Sequence, residues 1–406
     1  MKNILIEIYK NFFFLFFKLL NFYRNNFDSN IAEGIIFPSK KLFNQSDIIT
    51  LYDSFTLRKK REIIKINGEK NIFKKKKNPF IDNFLIKTLK SQNFSLRKGY
   101  FFYKKLFFFE KGNPYLKANI KNKNKIEFNN YSESSNFMKN NFKKIYFQKI
   151  SEPSFVYDTV INLSSHNNTS YFHWIVQPSL KTISSIKNFS KLKKKAYFYL
   201  SPVYKKKIPK FIIESLKILK IKKKQLIFED CKANTFYSLI QDNKFNLVDK
   251  KHIKFLRKLF MLKKLKNNKK YEKIFISRKF SKRGIENDDE IYSYLKQKYG
   301  FKRFFLENLS IKKQVEIFYN ARIVIATHGA GSLNMIFSKK NASIFEIYPN
   351  GKFYNESIYN ICNINNLNYG YIIGSKLLKN KNFLLNIKKL EEFFELKKVK
   401  RILNFK

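Results

Sequence analysis

Between residues 273 and 349 apolar runs alternate with helical patterns, and this constrains the fold more than any other feature of the chain. Residues 273–277 read as a strand, and Asn287 stands as N-cap of a helix whose first turn is Asp288, Asp289 and Glu290. The helix dipole favours acids there, and Gly300 is a natural stop. Residues 302–305 read as a second strand. Ser310 caps a helix over 311–319 with Ile311, Val315 and Phe318 on one face, and residues 322–326 form a third strand. Thr327-His328-Gly329-Ala330-Gly331 then opens a short helix, and a fourth strand, 343–348, ends at Pro349. Strands and helices joined by short loops predict a doubly wound parallel α/β sheet. Such sheets bind ligands at the carboxyl ends of their strands, and His328 falls at one.

The rest of the chain is read more coarsely. Residues 195–200 and 225–228 are strand-like, 208–219 helix-like, and 251–265 a basic helical stretch; the polar segment 266–270 is a linker. Before residue 150 little is legible beyond an aromatic strand at 100–109 and a solvated lysine run at 74–77. The resulting division is an amphipathic helix at 1–24, an N-terminal domain at 25–265, a C-terminal domain at 271–375 and a helical segment at 376–406. In the first helix the apolar run Phe12–Phe17 is too short to span a bilayer, which takes about 20 residues. It suits a helix lying in a membrane interface or one docked on the fold.

Composition excludes some classes. With 44% hydrophobic residues the chain is not a disordered tail. Cys231 and Cys362 lie far apart, without ligand spacing, so neither a disulfide framework nor a structural zinc site is expected, and a reducing, cytoplasmic setting fits. The formal charge is +53, from 83 Lys+Arg against 30 Asp+Glu. Lysine is accompanied by abundant Asn, Ile and Phe, all with A/T-rich codons, so biased coding explains most of that charge. A nucleic-acid-binding protein is the competing reading. Against it, no helix-turn-helix, zinc-finger or RNP-like pattern occurs and the basic residues are spread throughout.

Four groups of residues can carry chemistry. Gly329, Ala330 and Gly331 let backbone N–H groups approach a phosphate, although a tight turn without a ligand would read the same. Asn334 replaces the third glycine of a dinucleotide fingerprint, which disfavours an NAD site. Arg278 and Arg283, following a strand end, would neutralise a pyrophosphate, or are surface charge. Glu346 interrupts an apolar strand, where it would accept from ribose hydroxyls or balance a buried arginine. His173 would serve as general base to an acceptor hydroxyl and Trp174 as a face for a sugar ring; both also fit a core aromatic cluster.

Together these residues resemble glycosyltransferase family 61. The matching run comprises Ile276-Ser277-Arg278, Arg283, Asn287-Asp288, Leu309-Ser310, Gln314, Ala321, His328-Gly329-Ala330-Gly331, Leu333-Asn334 and Glu346, with Tyr171-Phe172-His173-Trp174 upstream. Where the family usually has an acid and then Leu-Pro-Arg, this chain has Gln177 and Ser179-Leu180-Lys181. The resemblance implies a GT-B fold, two facing Rossmann-like domains with parallel sheets. It implies inverting transfer from a nucleotide-sugar, a UDP-sugar being favoured, to a glycan or lipid-linked acceptor in surface polysaccharide synthesis. The expected donor site is Arg278, Arg283, His328, Gly329, Ala330, Gly331, Asn334 and Glu346. Trp174, Gln177 and Lys181 fall on the acceptor side, and His173 is the expected base with His328 its rival. No Asp-x-Asp motif occurs, so no metal or other cofactor is expected. The altered Gln177–Lys181 segment leaves open an inactive relative acting as a membrane-surface scaffold, and the enzyme itself is expected in the cytoplasm or on the inner membrane face.

Overall fold

The computed structural model describes residues 48–53, 62–73, 81–87, 94–97, 100–103, 106–109, 155–163, 170–176, 178–200, 204–229, 231–241, 250–261, 265–351 and 354–404. The expected helix at 1–24 and Gln177 lie outside them. Along the chain the first strands are β1 (Ile48–Asp53), β2 (Ile63–Ile64), β3 (Ile81–Lys87), β4 (Phe94–Arg97), β5 (Tyr100–Tyr103), β6 (Leu106–Phe109) and β7 (Phe155–Asn162). Then come β8 (Tyr197–Tyr199), β9 (Leu226–Ile227), β10 (Cys231–Gln241), β11 (Lys273–Ile276), β12 (Lys302–Phe304), β13 (Ile323–Thr327), β14 (Ser343–Tyr348) and β15 (Asn368–Ile373).

The C-terminal sheet has the order β12-β11-β13-β14-β15-β2, and all its pairs are parallel. Every residue of β13 and β14 is buried, as expected for central strands covered on both faces. Phe275, Ile325 and Phe345 face helices Asp288–Tyr299, Ile387–Glu395 and Lys397–Asn404, meeting Leu295, Phe393 and Val399. Ile274, Val324 and Ile344 point the other way, into a core continuous with Trp174, Leu180 and Ile253 of the N-terminal half. This alternation follows the period-two geometry of a strand.

The N-terminal sheet has a parallel centre, β10-β7-β8-β9, extended by antiparallel strands. It is therefore mixed, which corrects the expectation of a second purely parallel sheet. The expected single strand at 100–109 is instead two, β5 and β6, paired antiparallel. Two intervening residues are far too few for a parallel crossover. A second correction concerns residues 62–73, assigned by sequence to the N-terminal domain. There β2 pairs with β15 and Phe73 packs among Tyr348, Tyr359, Tyr369 and Tyr371. The segment completes the C-terminal sheet.

The caps agree in part. Ser310 accepts from Lys313 N at 3.3 Å, and Gly300 takes the left-handed conformation at φ 72°. Asn287 occupies its N-cap position, but its side chain is turned to Leu385, whose N–H it accepts at 3.1 Å and whose carbonyl it donates to at 3.0 Å.

Candidate functional site

Three loops converge at the carboxyl ends of β11, β12 and β13. The loop after β11 begins with Ser277, whose hydroxyl donates to Asp288 Oδ1 at 2.7 Å and accepts from Lys279 N at 3.1 Å. Arg303 binds the other Asp288 oxygen at 2.8 Å. Burial outweighs these bonds and raises the Asp288 pKa. Arg278 NH2 donates to Lys282 O at 2.9 Å, curling the loop back on itself. Its guanidinium also lies against Gly329, where any Cβ would overlap a guanidinium nitrogen. From the loop after β12, Leu306 comes within 2.8 Å of where a Cβ at Gly331 would stand. Both glycines thus let a side chain from a neighbouring loop lie directly against the turn, and a larger residue at either would displace it.

Electrostatics at this junction are cationic. Burial, with Arg283 as a second cause, pushes the Arg278 pKa down to about 10, and Glu307 partly offsets this. Burial also lowers Arg283. Both remain cations near neutrality. Among the described residues, Arg278 Nε, Thr327 Oγ1 and Ser332 Oγ are buried without a hydrogen-bond partner, although most buried polar atoms are paired. A positive charge and orphaned donors beside a glycine turn suit an anionic, oxygen-rich ligand. The turn leads into a 3-10 helix, Ala330–Phe337, rather than an α-helix.

His328 sits behind the turn with its Nδ1 2.9 Å from Glu346 Oε1. Glu346 is fully buried, and its Oε2 accepts from Tyr348 and Tyr369 hydroxyls, each at 2.8 Å. Burial and the Glu346 charge hold both phenols well above their ordinary pKa, so they stay neutral donors. The His328 ring stacks on Tyr348 at 4.4 Å. A carboxylate with two phenol donors can only accept from the imidazole, so the proton belongs on Nδ1 and the lone pair on Nε2. The described partners of Glu346 are a histidine and two tyrosines rather than the buried arginine that sequence allowed.

The upstream motif is brought against the same turn. Helix Tyr171–Val176 meets the 3-10 helix through Tyr171, whose hydroxyl donates to Asn334 Oδ1 at 2.8 Å. Asn334 is buried and donates to Gln314 Oε1 at 2.7 Å and Gly331 O at 3.2 Å. Its amide is therefore committed to joining the two halves of the molecule. Trp174 is fully buried with its indole N–H on Ser215 Oγ at 3.2 Å, which seats it in the core of the N-terminal half. Lys181 is buried in helix Pro178–Ser185, and His173 is half-buried on the helix that meets the turn.

Sequence reasoning missed Tyr348 and Tyr369, and gave Ser277, Gln314 and Tyr171 only as parts of the family resemblance, without a role. Tyr348 carried a usable signal, lying two residues from Glu346 and so on the same strand face. Among the described residues no group of three or more His, Cys, Asp or Glu is placed to hold a metal ion.

Residues 171–345 match the family model described as Glycosyltransferase 61. A 76-residue stretch, 18% of this chain, is 36% identical to the EGF domain-specific O-linked N-acetylglucosamine transferase of Drosophila melanogaster. The match spans 15% of that relative's length.

Proposed function

We propose that the chain, whose residues 171–345 match the Glycosyltransferase 61 family model, is an inverting enzyme transferring a sugar from a nucleotide-sugar to a hydroxyl of a glycan or lipid-linked acceptor. The observation that carries this reading is the Arg278 guanidinium laid on Gly329 beside the His328–Glu346 pair, at the carboxyl ends of a parallel sheet. The acceptor oxygen attacks the anomeric carbon while the bond to the diphosphate breaks. Arg278 and Arg283 stabilise the charge developing on the leaving diphosphate. The acceptor proton passes to His328 Nε2, and Glu346 stabilises the imidazolium formed. His173, the base expected from sequence, lies on the helix whose Tyr171 bonds to Asn334 and is the rival imidazole. A His173→Gln enzyme keeping near-normal kcat would leave the proton to His328.

A GT-B arrangement fits two sheets joined by the Tyr171–Asn334 bond. The relative named above carries N-acetylglucosamine transfer in its name, which makes UDP-N-acetylglucosamine the first donor to test; a surface polysaccharide is the acceptor class that the family resemblance implies. No described helix is long and apolar enough to cross a membrane, and the proposed location is the cytoplasmic membrane face. With guanidinium groups and amides on the diphosphate, no divalent ion is needed. Turnover or slow hydrolysis of a UDP-sugar should therefore persist in excess EDTA. An absolute need for Mn²⁺ or Mg²⁺ would contradict this, and nucleotide binding with no turnover would mark the protein as an inactive relative.

A further inference from the structure

Phe280 is 69% exposed, the most exposed of the large apolar side chains described. It occupies a tight turn, closed by Ser281 N donating to Arg278 O at 2.9 Å, that lies between Arg278 and Arg283. Its ring lies 4.9 Å from that of Phe305 at 50°. Phe305 is supported by the Arg303 guanidinium, 5.2 Å from its centroid, and Arg303 is itself held by Asp288. Leu306, the next residue, packs under Gly331, so the aromatic pair borders the glycine turn. Single exposed apolar residues are ordinary on a protein surface. This one differs in position: it is braced by a second ring and shares a six-residue loop with both arginines of the proposed diphosphate site.

Resting on the glycosyltransferase reading, we propose that Phe280, braced by Phe305, is a stacking platform for the nucleobase of the donor. A nucleoside diphosphate gripped through its phosphates by Arg278 carries its base one ribose away, within reach of the same loop. An aromatic face accepts any base, so the platform adds affinity without selecting between uracil and guanine. The nearby guanidinium groups add to the attraction between stacked rings.

The test is titration calorimetry of the full-length protein with UDP, GDP and inorganic pyrophosphate, on wild type, Phe280→Ala and Phe280→Trp. Phe280→Ala should bind UDP and GDP about tenfold more weakly, with pyrophosphate affinity unchanged, and Phe280→Trp should restore the loss. Equal affinities of wild type and Phe280→Ala for all three ligands would overturn the platform while leaving the diphosphate site standing. So would a Phe280→Ala enzyme with unchanged UDP affinity and a raised acceptor KM, which would move the ring to the acceptor. Parallel loss of UDP and pyrophosphate would show that the loop had collapsed around Arg278, and would also overturn it. Failure of the wild-type protein to bind any of the three would instead remove the glycosyltransferase reading, and the platform with it.

Discussion

The Glu346 carboxylate has three partners and no exposure, so its charge acts only through them. Were it a ribose ligand, removing the charge would weaken nucleotide binding. As a group that fixes the His328 tautomer, it should affect the chemical step. Glu346→Gln is expected to lower kcat by about 10²–10⁴-fold, as for an impaired general base, while UDP affinity stays near wild type. Calorimetry and initial rates on the same preparation check this. Lost affinity with an intact kcat at saturating donor would return Glu346 to the ribose.

At the scale of elements, the loops after β11 and β13 interlock through Arg278 and Gly329. Gly329 has extended backbone, which any residue adopts, so Gly329→Ala should fold and act only by displacing the guanidinium. Its loss of UDP affinity should match that of Arg278→Ala, and the double variant should be no weaker than either single, because both remove one interaction. Additive losses in that cycle would show that the two residues act separately. The elements around this junction were legible because they carry local signals: Ser310 at a cap, Gly300 at a stop, apolar strands between them. What was not legible depends on distant partners. Nothing near Ile63 and Ile64 says that they will lie beside Tyr369 and Gly370, some 300 residues away. The Asn287 side chain suited a cap, yet a strand-like contact at Leu385 claimed both its polar atoms. His328 and Arg278 could be read as site residues, whereas the tyrosine pair that holds Glu346 needed the register of β14 on β15.

Across the whole molecule, the two halves are tied by specific polar contacts as well as by a shared core. Tyr171 reaches Asn334, Arg257 donates to Ile336 O at 3.0 Å, and Glu214 accepts from Ile311 N at 2.7 Å. The last places a carboxylate on the N-terminus of helix Ile311–Asn320, where the dipole favours it. These ties hold the Tyr171 end of the motif at 171–174 against the 3-10 helix that follows the glycine turn. The formal net charge of +53 attracts any anion without choosing among them, so specificity has to come from a defined site. In the proposed enzyme that place is the diphosphate site formed by Arg278 and the turn at Gly329. Its most direct test is calorimetric titration of UDP into wild type and Arg278→Ala at physiological salt. Saturable one-site binding by the wild type and about tenfold or greater loss in the variant are expected, as for a charge-assisted contact to phosphate. Equal affinity in the two proteins would contradict it.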